Sequence, residues 1–164
     1  METMQQPTVK HSSFTLERSV PTSPERVFSA FSDPAKKIRW HADGRNSEVI
    51  AFEMDFRVGG KDRYRYRMSP DGPLKGAILS NDTHYLDIQP NHRLVIAYTM
   101  GIETAGENRP FSASLATFEL MPTATGTDIL FTEQSAFFEG GDGPEMRKQG
   151  WTSLLNSLAK VLAE

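Results

Sequence analysis

The chain has no cysteine among its 164 residues, which rules out a disulfide framework, a thiolate metal site and a cysteine nucleophile. It also has no apolar run approaching the ~20 residues of a membrane span, and no apolar leader at its N-terminus. Cytoplasmic residence is therefore the expectation, by default of other signals. Basic residues are in slight deficit, 18 against 21 acidic ones for a net charge of −3, so a nucleic-acid-binding face is not expected. The four histidines, His11, His41, His84 and His92, are scattered. None pairs at helical spacing and there is no His-Glu-x-x-His pattern, so neither a metal site nor a cofactor is expected. The Gly-rich stretch Gly140-Gly141-Asp142-Gly143 lacks the Lys-Ser/Thr of a phosphate loop and reads as a flexible joint before a helix.

What the chain does have begins at its end. From Pro144 onward Met146, Trp151, Leu154, Leu155, Leu158, Val161 and Leu162 recur at helical spacing and predict one long amphipathic helix. Residues 48–138 read almost wholly as strands, and a terminal helix after such a run must lay its apolar stripe on the sheet. Near the other end, Met1–Lys10 read as a polar tail and Ser12–Val20 as a first strand, with Phe14, Leu16 and Arg18 on one face. Ser23-Pro24-Glu25 and Asp33-Pro34 repeat an N-cap followed by proline, and so predict two short helices. Residues 11–164 read as a single domain.

Between them lie the strands Glu48–Val58, Lys61–Met68, Thr83–Ile88, Arg93–Met100, Ser112–Met121 and Thr127–Phe138. Turns fall at Ser69–Pro73, Gln89–His92, Gly101–Pro110 and Pro122–Gly126, and Leu74–Asp82 is either a short strand or a loop. The hairpin around Gly59-Gly60 allows a register to be derived. A three-residue loop, Gly59-Gly60-Lys61, pairs Phe56 with Tyr64 and Met54 with Tyr66. It also sets Asp55 opposite Arg65 and Glu53 opposite Arg67, pairs worth about 0.2–1 kcal/mol each.

These elements carry a resemblance. Ser23-Pro24-Glu25-Arg26-Val27-Phe28 with Phe31, Asp33-Pro34 and Trp40 come first, then Phe56-Arg57-Val58-Gly59-Gly60. Tyr85 through Leu94, Gly126-Thr127-Asp128-Ile129-Leu130, and Gly150-Trp151 with Leu154 and Leu155 follow in order. Over residues 12–164 the chain resembles the START-like (SRPBCC) superfamily, and within it the family named after the activator of heat-shock protein 90 ATPase. The resemblance implies an α+β helix-grip (START-like, Bet v 1-like) fold: a curved antiparallel sheet of six to seven strands, two short helices after the first strand, and a long C-terminal helix across the sheet. Its members include ligand carriers, cyclases and aromatases, and co-chaperone pieces, and the fold alone does not choose among them.

The candidate site follows from the inward faces. Trp40, Phe52, Met54, Phe56, Tyr64, Tyr66, Tyr85, Tyr98, Phe118, Phe131, Trp151 and Leu155 are the candidate wall of an apolar ligand cavity between sheet and helix. For any one of them taken singly, ordinary core packing is the favoured explanation; the group as a whole points to a cavity. Gly150 suggests close approach of the helix backbone to the sheet. Glu133, His84 and Tyr66 are the candidates for acid–base chemistry. His84 and Tyr85 are neighbours on one strand, so only one of them points inward. Glu133 shares a face with Ile129 and Phe131, although an edge or outward position is favoured for it. His41 belongs at the surface or at the cavity entrance. Arg63, Arg65 and Arg67 with Lys61 form a basic stripe, read as a solvated outer face. The first reading is a binding module for a small apolar, aromatic or lipid-like molecule; the second is a cyclase- or aromatase-type enzyme; the third is a chaperone-associated interaction protein, with monomer and homodimer both open.

Overall fold

The computed structural model describes residues 6–42, 47–72 and 74–164. Its order is β1 (Lys10–Val20), α1 (Pro24–Ser32), α2 (Pro34–His41), β2 (Ser47–Met54), β3 (Lys61–Met68), β4 (Ile78–Gln89), β5 (Arg93–Thr104), β6 (Glu107–Pro122), β7 (Thr127–Phe137) and α3 (Gly143–Leu162). The seven strands form one antiparallel sheet in the order β1-β7-β6-β5-β4-β3-β2. It is a meander from β2 to β7, closed by β1 returning beside β7. With two helices after the first strand and one across the sheet, this is the helix-grip fold.

Both predicted caps are present. The Ser23 hydroxyl accepts from Arg26 N and an Asp33 carboxylate oxygen from Ala35 N, each ahead of a proline at the first helical position. The core lies between sheet and helices, around Val27, Phe31, Trp40, Tyr85, Phe118, Phe131, Trp151, Leu155 and Leu158. Helix α3 rests on β1, β7, α1 and α2. Glu164 ties its end to both short helices, since its carboxylate accepts from Arg39 at 2.5 Å and its main-chain oxygen from Arg26 at 2.8 Å. The helix thus covers the β1–β7 half of the sheet and leaves β3–β5 less covered.

Several expectations need correction. The β2–β3 loop runs from Asp55 to Gly60, and Phe52 pairs with Tyr64 while Met54 pairs with Asp62. The reason is tertiary. The loop is stitched to β4 by Gly59 N to Tyr85 O (2.9 Å) and Tyr85 N to Gly60 O (3.1 Å), and a Cβ on Gly60 would sit 2.1 Å from the Asp55 carbonyl oxygen. Asp55 therefore pairs with Arg57 inside the loop, Arg67 with Glu48 at the hairpin's far end, and Arg65 is buried between Asp82 and Glu103 on the outer face. Only Arg63 and Arg67 of the arginine stripe are solvated.

Strands β5 and β6 continue through the predicted Gly101–Pro110 turn to a tight turn at Ala105-Gly106, where both φ values are positive. Gly101 sits instead at a bulge, where a Cβ would meet the Arg109 carbonyl oxygen at 2.6 Å. The ambiguous Leu74–Asp82 divides into a turn and the start of β4 at Ile78. Bulges at Ile50 and Leu86 turn those two side chains out to solvent and add curvature to the sheet.

Candidate functional site

The half of the sheet that α3 leaves uncovered forms one wall of a cavity of about 380 Å³. Alternation along the strands turns Tyr64, Tyr66 and Met68 of β3, Asn81 of β4, and Tyr98 and Met100 of β5 into it. Met146, Arg147, Gly150, Trp151 and Leu154 of α3 form the opposite wall, and His41 at the end of α2 closes the inner side. The cavity opens past Met146, which is 62% exposed, and Gly150, whose Cβ position is empty space. Helix and sheet are therefore not in close approach at this glycine. Tyr64 and Tyr66 stack with their centroids 4.7 Å apart and give the sheet side a flat aromatic surface.

The floor of the cavity is polar, built on Tyr98. Its hydroxyl donates to Glu133 Oε1 and accepts from Trp151 Nε1 at 3.0 Å and Arg147 Nη1 at 3.1 Å. Trp151 Nε1 also reaches Glu133 Oε1 at 2.9 Å. Arg147, only 4% exposed, forks onto Asp142 through Nε (2.8 Å) and Nη2 (3.0 Å) and donates to Ser112 and Ser114. Every donor group of the guanidinium is engaged, as burial of an arginine demands. Glu133 points inward and is fully buried, because β7 alternates Ile129, Phe131 and Glu133 toward the helix. Burial pushes its carboxyl above the ordinary range, against the pull of Tyr98, Arg147 and Trp151. Its Oε2 has no hydrogen-bond partner and lies 4.0 Å from Arg147 Nη1. Glu133 itself does not line the cavity; Tyr98 and Trp151 stand between.

A second buried polar cluster lies beneath α2. Lys37 Nζ donates to Asp62 Oδ2 at 2.9 Å and to the Tyr85 hydroxyl at 3.3 Å, and Tyr85 donates to the same carboxylate oxygen. This cluster pins α2 to β3 and β4. Between it and the cavity is a void of about 20 Å³, reached by Lys37 and Thr83 and lined by Trp40 and Phe118. His41, Asn81, Tyr98 and Trp151 border both spaces and form the junction between them. Burial, reinforced by the charge of Lys37, lowers the His41 imidazole to about 3, so it is neutral at physiological pH. Its Nδ1 is buried without a partner, a situation that typically costs about 1–3 kcal/mol.

Of the candidate cavity residues, Tyr64, Tyr66, Tyr98 and Trp151 line the cavity, and Trp40 and Phe118 line the inner void. Phe52, Met54, Phe56, Tyr85, Phe131 and Leu155 line neither. Phe56 packs on Tyr85 and Phe28, Phe131 on Trp151, and Phe52 on Tyr64 behind the wall. His84 is exposed on the outer face, one residue out of phase with buried Tyr85, which removes it from acid–base chemistry in the cavity. Tyr66 does face the cavity, and burial raises its hydroxyl well above the ordinary value. Glu133, favoured as outward, is inward. Sequence reasoning passed over Arg147, Asp62, Lys37 and Asn81 altogether. Among the described residues no group of metal-ligating side chains is gathered, and no helix is long and apolar enough to cross a membrane.

The family model for Activator of Hsp90 ATPase homolog 1-like proteins matches residues 21–163. The chain belongs to this family. Among solved structures it is similar to Mll3558 of Rhizobium loti at 42% identity, over 94% of this chain and 99% of that one, with a TM-score of 0.80. A Rhizobium leguminosarum protein is 32% identical, over 94% and 95% of the two chains, with a TM-score of 0.81. The AHSA1-like protein of Aeromonas hydrophila, at 15% identity over 92% of each chain and a TM-score of 0.62, shares the fold. No curated protein matches the chain. As a START-like member of the family, the chain has its cavity where strands and terminal helix diverge, and the Arg147–Tyr98–Glu133 floor is built from its own β5, β7 and α3.

Proposed function

We propose that this domain binds a small, mainly apolar aromatic or lipid-like molecule between β3–β5 and α3. The observation that carries the reading is the solvent-connected cavity of about 380 Å³, within the ~300–1,000 Å³ typical of small-molecule sites. Its stacked tyrosines face Trp151 and Leu154 over a few fixed polar groups. Burial of apolar surface would supply affinity, and the polar groups orientation.

The cyclase- or aromatase-type reading has less support. It needs a group that exchanges a proton with the ligand, whereas Glu133 is screened by Tyr98 and Trp151, His84 faces away from the cavity, and Tyr66, which does line it, has its hydroxyl pushed up by burial and stays protonated. A chaperone-partner reading draws on the family's description and needs an exposed apolar patch. The exposed large apolar residues among those described, such as Ile50, Leu74, Leu115 and Met121, are distributed over β2, the β3–β4 turn and two positions of β6.

Native mass spectrometry of freshly purified protein, compared with its denatured mass, tests the binding reading. Expected is an added mass that leaves on denaturation and extracts as one apolar compound. Gly150→Trp, which puts a bulky ring at the open mouth from a position where a Cβ meets no neighbour, should reduce it. A clean mass, with no stabilisation by a panel of aromatics and lipids, would count against binding and turn attention to chaperone pull-down. The same spectrum reads monomer against homodimer.

A further inference from the structure

We infer that the molecule this cavity selects is uncharged and carries a hydroxyl on a planar apolar body, with the hydroxyl seated between His41 and Asn81 at the inner end. The inference rests on the binding reading above and adds the ligand's class. It comes from an inventory of which polar groups at the cavity are already engaged. Arg147 gives its donors to Asp142, Ser112, Ser114 and Tyr98. Lys37 is held by Asp62 and Tyr85. Among the described residues that line the cavity or the void, no cation is left over to receive a carboxylate or a phosphate.

Two neutral groups at the junction remain open. His41 Nδ1 is buried with no partner, and the Asn81 carboxamide makes no side-chain hydrogen bond among the described residues. Both border the cavity and the void behind it. With the imidazole neutral and its proton on Nε2, Nδ1 is an acceptor, while the Asn81 amide nitrogen is a donor. A hydroxyl satisfies both at once, donating to His41 and accepting from Asn81. A carboxylate has no hydrogen to offer Nδ1 and brings an unpaired charge into the site, which is costly. The void beyond, about 20 Å³, has room for roughly one water molecule, so a head group stops at this junction. The body then lies along the stacked Tyr64–Tyr66 pair, opposite Trp151.

The test compares three two-ring probes of similar size at neutral pH by fluorescence titration: 2-naphthol, 2-methoxynaphthalene, which cannot donate, and 2-naphthoate, which is anionic. Expected is binding of 2-naphthol about tenfold tighter than 2-methoxynaphthalene, the worth of one good hydrogen bond, with 2-naphthoate weaker still. In His41→Leu and Asn81→Leu the preference for 2-naphthol should fall to within about twofold, with thermal midpoints no lower than the parent's, since each change removes a polar group that lacks a partner. Gly150→Trp should weaken all three probes together. Binding of 2-naphthoate as tight as that of 2-naphthol would overturn the inference, as would a preference unchanged in both variants. Equal binding of 2-naphthol and 2-methoxynaphthalene would refute the hydroxyl seat and leave the binding reading standing. Failure of all three to bind, with a clean native mass, would bring down both.

Discussion

Arg147 shows at the residue scale how the cavity floor is held. Its charge is buried against Asp142 and close to Glu133, and removing one partner of a buried pair strands the other. Arg147→Met should therefore cost about 3–5 kcal/mol in urea denaturation. Adding Glu133→Gln to it should recover part of that loss, because one of the stranded carboxyls becomes neutral. His41 sets a pH dependence of definite sign. Its folded value of about 3 lies below the unfolded 6.5, so between these values the unfolded chain binds more protons and stability falls as pH drops from 6.5. Between neutral pH and about pH 4.5 the parent should lose about 2–3 kcal/mol more than His41→Leu does, read from urea midpoints. A parallel decline in the two would show that the imidazole is not the group responsible. Part of this was legible in the chain. Arg147 precedes Trp151 by four residues, on the line that continues through Leu155, Leu158 and Leu162, but a charge at the head of an apolar stripe reads as its end. Asp62 likewise alternates with Tyr64 and Tyr66. The site of His41 depends on the phase at which α2 stops against the sheet, and no spacing encodes that.

The sequence was clearest at the scale of elements where the signal is local. Ser23-Pro24, Asp33-Pro34 and the terminal stripe place all three helices, because a cap or a periodicity is decided within a few residues. The β2–β3 register failed because pairing arithmetic sees two strands at a time. Salt pairs worth a few tenths of a kcal/mol were outweighed by a loop hydrogen-bonded to β4 and by Arg65 finding two carboxylates on β4 and β5. Two glycines should separate these effects. Gly60→Ala pushes a methyl group into the Asp55 carbonyl oxygen, and into that of Arg57 at 2.9 Å. It should destabilise the fold by about 1–3 kcal/mol. Gly150→Ala enters open space in the middle of α3 and should stabilise by roughly 0.5–1 kcal/mol through helix propensity alone. Urea midpoints of the two variants should thus move in opposite directions. A loss of stability in Gly150→Ala would mean that the helix lies closer to the sheet than its open flank implies.

At the scale of the whole molecule, the cavity follows from how one helix covers seven strands. Helix α3 is anchored by its C-terminal half, where Leu155, Leu158 and Leu162 are buried and Glu164 is bound by Arg39 and Arg26. Its first turns are held differently, by the Arg147–Asp142 fork and by Gly141 lying against the Phe111 ring. On the cavity side they meet empty volume in place of side chains. Local stability follows packing, so amides of residues 143–150 should exchange with solvent faster than those of residues 155–162 in the unliganded protein. A molecule that fills the cavity binds only the folded state, and at about 100 times its dissociation constant adds about 2.7 kcal/mol. For a domain of this size that corresponds to a rise in thermal midpoint of about 5–11 °C. With 2-naphthol at that excess, the rise should be accompanied by slower exchange concentrated in residues 143–150, and both effects should shrink together in Gly150→Trp. A rise in midpoint with slowed exchange confined to β1 and β7 would locate the ligand elsewhere, and the uncovered half of the sheet would then be unoccupied space and nothing more.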